Sequence, residues 1–173
     1  MEKLEFKKFC YHQFKKHGFQ KIKNRYYLKG KDNIICVLEL QKSDYGSYYY
    51  INYDYYINPP VAPEMLSSYI SDLIGRILIF SKNDYAVIGA AIEYEKYTEE
   101  ELIADFDDYF NKVIIPPIKI GKTILVKYLN TFYHLHVHKE NVLKKLNLTD
   151  NNIISSHIDK ENYIKFLFGD RYL

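Results

Sequence analysis

The sequence has 173 residues, enough for one hydrophobic core but not for two of ordinary size, so we expect a single domain over residues 1–173. Apolar residues make up 47% of the chain and charged residues 27%, a composition that excludes a disordered or fibrous protein. The 24 basic residues are offset by 22 acidic ones, which disfavours nucleic acid as the main partner of the chain as a whole.

No apolar stretch approaches the ~20 residues needed to cross a bilayer, and the residues after Met1 lack the pattern of a secretory signal. We therefore expect a cytoplasmic protein with no membrane partner. Cys10 and Cys36 are the two cysteines, and both fall on faces that we expect to be buried. A reduced pair of core thiols is favoured over a disulfide.

The first third of the chain predicts a helix followed by strands. Apolar residues crowd one side of a helix from Leu4 to Phe14, and Gly18 supplies its end. Phe19–Leu28 and Ile34–Gln41 are typical of strands, with a turn at Gly30–Asn33 between them.

A third strand is predicted at Tyr48–Asn58, where the side chains alternate between two faces. The set predicted to face inward is Tyr49, Ile51, Tyr53, Tyr55 and Ile57. The set predicted to face outward is Tyr48, Tyr50, Asn52, Asp54 and Tyr56, which we call the tyrosine row. Pro59, Pro60 and Pro63 then end the strand.

The segment 63–80 fits either a helix or a buried strand, and we interpret it as a short helix to about Asp72 followed by a strand. Tyr85–Tyr94 is predicted as the fifth strand. The clearest helix follows, because Thr98 to Glu101 matches a capping box and an apolar stripe continues to Ile114. Pro116 and Pro117 are expected to close that helix.

The remaining chain predicts short elements. One or two helical turns are expected at Ile124–Leu129, and Phe132–Val137 is open between strand and helix. Short helices are predicted near Lys139–Leu146 and Lys160–Phe168. The fold class is thus α+β: an N-terminal helix, an antiparallel sheet of about five strands, one long amphipathic helix packed on the sheet, and short C-terminal helices.

Four short strings carry a resemblance to a known family: His17-Gly18-Phe19-Gln20-Lys21, Leu40-Gln41-Lys42-Ser43, Tyr50-Ile51-Asn52 and Gly75-Arg76-Ile77. With the order of the predicted elements, they resemble a bacterial family of uncharacterised proteins, domain of unknown function 4304, over about the first 130 residues. The resemblance implies an α+β fold and no established activity, so function must be argued from the residues.

The sharpest candidate for metal binding is the run His134, His136 and His138. Alternate histidines on a strand could place two imidazoles on one ion, but the outer pair would lie ~13 Å apart on a straight strand, and no further ligand follows in pattern. An exposed polar strand face explains the run more simply. We therefore assign no metal ligand, although these three histidines are the candidates.

The other chemical signatures point away from catalysis. The sequence has no Gly-x-Ser-x-Gly elbow and no glycine-rich phosphate loop, so no catalytic residue or cofactor is predicted. A basic cluster lies between Lys15 and Lys31, where weak nucleic-acid binding competes with the simpler role of a solvated edge.

The tyrosine row supports the leading hypothesis, since phenol rings offer large rigid contact areas with a polar tip. The opposing interpretation is that another helix, from Thr98 to Ile115, covers this face and makes it core. We expect a non-enzymatic protein-binding module of adaptor or immunity type. The alternatives are a metal-dependent enzyme centred on the histidines and a weak nucleic-acid binder.

Overall fold

The computed structural model describes residues 1–82, 88–125, 136–137, 139–149 and 159–172. The predicted N-terminal helix is confirmed as α1, Lys3–Lys16, which begins at a capping box between Glu2 and Glu5. It ends before Gly18, whose φ of 91° lies in the left-handed region that glycine adopts freely. Leu4 was expected on the buried side but is 64% exposed. It lies two residues before Phe6, roughly 160° away around the helix.

The main sheet has six strands, all paired antiparallel in the order β1-β2-β3-β4-β5-β8. The strands are β1 Gln20–Ile22, β2 Arg25–Lys29, β3 Ile34–Lys42, β4 Tyr49–Ile57, β5 Leu73–Arg76 and β8 His136–Val137. The single strand predicted at Phe19–Leu28 is wrong, because the chain reverses at Lys23, which takes a φ of 57°. That reversal pairs β1 with β2 as a hairpin.

The segment after β4 also differs from the prediction. Two short 3-10 turns, Pro63–Met65 and Ser68–Ile70, stand where a helix was expected. The expected strand to Phe80 is interrupted after β5 and resumes as β6, Ile79–Phe80. Its break allows β6 to leave the main sheet and pair with β7, Ile88–Gly89, in a second small sheet.

The fifth predicted strand, Tyr85–Tyr94, is shorter than expected. Within the described residues it is reduced to β7 and a single bridge between Ile92 and Tyr49, and Tyr94–Lys96 forms a 3-10 turn. The structure does not describe residues 83–87, so the expected turn at Lys82–Asp84 lies largely outside the described chain.

The long helix is confirmed as α2, Glu99–Tyr109, and its capping box forms as predicted, with Thr98 Oγ1 accepting from the Glu101 amide at 3.3 Å. Pro116 and Pro117 do not close it. The chain passes through a π-helical turn, Phe110–Ile114, and continues as α3, Ile115–Ile120. Prolines are tolerated in the first turn of a helix, because amides there have no partner within the helix.

The C-terminal helices are confirmed as α4, Lys139–Leu146, and α5, Lys160–Phe168, followed by a 3-10 turn at Gly169–Tyr172. Phe132–Val137 was open between strand and helix, and its last two residues form a strand, β8 His136–Val137. The rest of that segment, and most of the expected turn at Ile124–Leu129, lie outside the described residues.

One large core lies between the helices and the inner face of the sheet. Phe6 of α1 contacts Tyr49 at 5.4 Å between ring centroids, and Phe9 contacts Phe106 of α2 at 5.2 Å. Cys10 and Cys36 are buried in this core as free thiols, as predicted. The helix layer on one face of an antiparallel sheet confirms the α+β class.

Candidate functional site

The alternation predicted for β4 is confirmed on its inner side. The inward set is fully buried in the main core. Two of its hydroxyls bond within the fold: Tyr53 shares a hydrogen bond of 3.2 Å with Tyr109, which donates to the Arg76 carbonyl at 3.0 Å, and Tyr55 donates to the Ile114 carbonyl at 2.9 Å. These tyrosines are therefore structural, and they hold α2 against β4 and β5.

The tyrosine row lies on the opposite face and is divided into two parts. Tyr48, Tyr50 and Asn52 are half-buried, whereas Asp54 and Tyr56 are only 6% and 1% exposed. The helix from Thr98 to Ile115 does not cover this row, because it packs on the inner face through contacts such as Tyr53 with Tyr109. The interpretation that this helix covers the tyrosine row is therefore wrong.

A second, smaller hydrophobic cluster buries the far end of the row. Tyr56 packs there with Leu66 and Val61, which belong to the segment that follows β4 and folds back over the sheet. Tyr27, Ile35 and Val37 from β2 and β3 complete the cluster. The cover is thus provided by the chain that follows β4, through Val61 and Leu66, and it buries Tyr56 but leaves Asn52 half-buried.

The uncovered end of the row is held by an arginine from the neighbouring strand. Arg76 stacks its guanidinium on the Tyr50 ring at 4.3 Å and donates from Nε to Asn52 Oδ1 at 3.1 Å. Asn52 in turn donates to Gln41 Oε1 at 2.9 Å, and Tyr48 meets Tyr50 edge to face at 5.7 Å. We call Tyr48, Tyr50, Asn52 and Arg76 the open patch. Its side chains are fixed by one another before any partner arrives.

Arg76 reaches this position because β5 pairs with β4 in a register that places it opposite Asn52. The preceding residue, Gly75, lies opposite Tyr53, and a Cβ atom there would overlap the Tyr53 ring. Sequence reasoning did not identify Arg76 as a site residue. The only signal was its place in the Gly75-Arg76-Ile77 string, which carries no information on register.

Asp54 is a buried carboxyl next to the open patch. Its Oδ1 has no hydrogen-bond partner among the described residues, and Oδ2 receives a long bond of 3.5 Å from the Tyr56 hydroxyl. Burial raises the pKa of Asp54 to about 6, and the nearby Arg25 guanidinium opposes that rise. Arg25 itself pairs with Glu39 at 3.1 Å and donates to the Leu66 carbonyl at 2.7 Å.

A cavity of about 580 Å³ connects these groups on the sheet surface. Its polar lining consists of Glu39, Asn52, Asp54, Ser68 and Arg76. Both charge signs and an amide are present, which suits hydrogen bonding to a mixed polar surface more than the capture of one anion or cation. Carboxyls with a raised pKa occur at functional sites and also in structural networks, so the pKa of Asp54 does not by itself assign a role to this cavity.

The histidine run is largely outside the described chain. His134 and His138 are not described, and His136 is placed only by its backbone, which pairs with Ile74 of β5. In the described ranges no three His, Cys, Asp or Glu side chains converge as a metal site. The expectation of no metal ligand, with these three histidines as the candidates, therefore stays a prediction.

The cysteines offer no nucleophile at the sites described above. Burial raises the pKa of both the Cys10 and the Cys36 thiol well above the usual value, which favours the protonated form. The described helices include none that is long and apolar enough to span a membrane.

The basic cluster between Lys15 and Lys31 does not form one surface. Lys16 pairs with Asp107 at 2.8 Å, and Arg25 pairs with Glu39 under the loop after β4. Lys21 lies instead in a groove beside α1. The cluster is thus divided among separate parts of the fold.

The family model for a domain of unknown function, DUF4304, matches residues 11–114. The chain belongs to the DUF4304 family. The DUF4304 match runs from within α1 to the end of the π-helical turn and includes the whole tyrosine row and Arg76. It stops short of the ~130 residues expected from the shared strings. No curated protein and no solved structure matches the chain.

Proposed function

We propose that this chain is a non-catalytic protein-binding module, of adaptor or immunity type, whose contact surface is the open patch. The observation that carries the proposal is the stacked and hydrogen-bonded arrangement of Arg76 on Tyr50 and Asn52. It stands on the uncovered part of a sheet face whose other end is buried.

The residue types suit this role for physical reasons. Tyrosine and arginine are enriched among the residues that dominate protein interfaces, since both bury large areas while keeping hydrogen-bonding groups. Side chains that are already ordered lose less conformational entropy on binding. In the open patch the order comes from contacts between the patch residues themselves, so it exists without a partner.

Asp54 and Tyr56 support the patch from beneath the covering segment and are not proposed to touch the partner. Their burial fixes the backbone of β4 on the side next to Asn52. The tyrosine row thus contributes contact residues at one end and buried structural residues at the other. Tyr45, which is 93% exposed in the loop before β4, adds a further ring near the same end of the strand.

The test compares affinity purification with wild-type protein and with a Tyr50→Ala/Arg76→Ala variant, from a lysate of the cells that make the protein. Any partner identified is then purified and its Kd measured. We expect the variant to bind at least about tenfold more weakly, because each such residue at the centre of an interface contributes on the order of 1–2 kcal/mol.

The matched control is a Leu4→Ala/Phe166→Ala variant, which removes two exposed apolar side chains away from the patch. It should keep the wild-type partners. Both variants must show wild-type circular dichroism and melting. A folded patch variant that captures every partner at the wild-type level contradicts the proposal.

A further inference from the structure

A groove of about 420 Å³ lies along α1 on the inner side of the sheet, between the helix and residues of β1 to β4. One wall is formed by Lys3, Lys7, Lys8 and Tyr11 of α1. The other is formed by Lys21 of β1 and Lys42 of β3, with the rings of Tyr26 and Tyr49 between them. The groove faces away from the open patch, since Tyr49 and Tyr50 point to opposite sides of β4.

The charge of this groove is unbalanced. Five lysines line it, and no aspartate or glutamate does. In the part of the chain that the structure describes, none of the five forms an ion pair, whereas Lys16, Arg25, Lys82, Lys145 and Arg171 do. The groove thus gathers five positive charges without a paired carboxylate, although the net charge of the chain is only +2.

Two of the lysines are held in position by rings of the groove floor. Lys7 Nζ lies 5.8 Å above the Tyr49 ring, and Lys21 Nζ lies 5.8 Å above the Tyr26 ring. Lys3 and Lys7 are one helical turn apart on the same side of α1. The ammonium groups thus line the groove rather than scatter around it.

An aromatic ring remains available at the edge of the groove. Tyr11 is 38% exposed, and its ring contacts Tyr26 at 6.4 Å between centroids with an angle of 54°. Its neighbours Tyr26 and Tyr49 are buried beneath the lysines. A half-exposed ring among lysines offers a stacking surface next to positive charge.

We propose that this groove binds single-stranded nucleic acid, with the lysines contacting the phosphate backbone and Tyr11 stacking on a base. A run of point charges that follows a groove, combined with an aromatic platform, is the arrangement used for sequence-independent binding of single strands. An acidic protein segment would use the lysines but would gain nothing from a flat stacking surface. A duplex would also meet the lysines, but its bases are stacked on one another inside the helix and would leave Tyr11 without a base to stack on.

The experiment is fluorescence anisotropy with a labelled 12-residue oligothymidylate in 50 mM salt. The groove variant is Lys3→Gln/Lys7→Gln/Lys42→Gln. The control is Lys15→Gln/Lys29→Gln/Lys31→Gln, which removes the same charge from exposed lysines outside the groove. We expect the groove variant to bind at least about tenfold more weakly and the control to stay within about threefold of wild type. The slope of log K against log salt should fall by about 2 in the groove variant, at ~0.7 per lost phosphate contact.

A Tyr11→Leu variant tests the stacking contact separately. It should weaken oligothymidylate binding by about fivefold or more, since stacking of one base contributes ~1–3 kcal/mol, and should leave the salt slope unchanged.

Three results would overturn the proposal. The first is that wild-type protein does not bind the oligonucleotide, and the second is that the two triple variants lose equal affinity. The third is that an oligoglutamate of equal charge displaces the labelled strand as well as unlabelled oligothymidylate does. The last result would assign the groove to an acidic protein segment instead. None of them bears on the open patch, which lies on the other face of the sheet.

Discussion

At the scale of single residues, Asp54 is a carboxyl that the fold buries at a cost. The pKa of its side chain rises from the usual 3.8 to about 6, so the folded protein holds a proton that the unfolded chain releases between these values. The stability of the wild-type protein therefore falls as the pH rises through this window. The cost is absent well below pH 3.8 and reaches its full size only well above pH 6.

We predict that Asp54→Asn, which removes the charge but keeps the shape, raises the free energy of unfolding by about 2 kcal/mol at pH 7.5. At pH 4.5 the gain should shrink to less than half of that, because the wild-type carboxyl is then largely protonated in the folded state. Urea unfolding at the two pH values measures both numbers. Asp44→Asn, in the exposed loop before β4, is the control and should change the free energy of unfolding at pH 7.5 by less than about 0.5 kcal/mol. A gain that is equal at both pH values would show that the charge of Asp54 is not the cause.

At the scale of elements, the helical run that begins at Glu99 continues past Pro117, where a strand tyrosine supplies a hydrogen-bond donor that this proline lacks. Pro117 has no amide hydrogen to offer to the Val113 carbonyl, four residues earlier. The Tyr55 hydroxyl reaches that carbonyl at 3.1 Å and the Ile114 carbonyl at 2.9 Å. The π-helical turn over Phe110–Ile114 spreads the adjustment over the residues before Pro116, with the Ile115 amide donating to the Phe110 carbonyl.

We predict that Tyr55→Phe lowers the free energy of unfolding by about 1.5 kcal/mol, because it leaves buried carbonyls without this donor. In a Pro117→Ala background, where residue 117 regains an amide, the same substitution should cost about half as much. Chemical denaturation of the four proteins of this double-mutant cycle provides the measurement. If Tyr55→Phe lowers the free energy of unfolding equally in both backgrounds, the Tyr55 hydroxyl does not compensate for Pro117.

At the scale of the whole molecule, one buried carboxylate joins the C-terminal part of the chain to the sheet. Asp72 is 1% exposed and accepts from the Ile57 amide at 2.6 Å. Lys145 of α4 donates to both of its oxygens, at 2.8 and 2.9 Å. Helix α4 lies beyond the DUF4304 match, so this pair connects the matched region to the chain that follows it.

We predict that Lys145→Met lowers the free energy of unfolding by about 2–3 kcal/mol, because it leaves the Asp72 carboxylate buried without its cation. Lys144→Met changes the adjacent exposed lysine and should cost less than about 0.5 kcal/mol. Thermal and urea unfolding of the two variants measure the difference. Similar losses in both would indicate that general charge on α4, rather than the pair with Asp72, provides the stabilisation.

The sequence alone was enough to predict those helices and strands that are marked by patterns within a few neighbouring residues. The capping box at Thr98, the period of two in β4 and the apolar spacing of α1 each act within a few residues, so they could be recognised without a fold. The same patterns could not show that Phe19–Leu28 turns back on itself, because a hairpin at Lys23 needs a backbone conformation that the residue type does not reveal.

Only the tertiary structure decided which end of the tyrosine row is open and what holds it. The sequence correctly separated the two faces of β4, but the cover of Asp54 and Tyr56 comes from a segment that folds back over them, and Arg76 reaches Tyr50 through the pairing of two strands. The lysine groove was likewise invisible, since Lys3 and Lys42 are far apart in the chain. Alternation along a strand is a property of one segment, whereas cover, register and charge clustering are properties of segments brought together by folding.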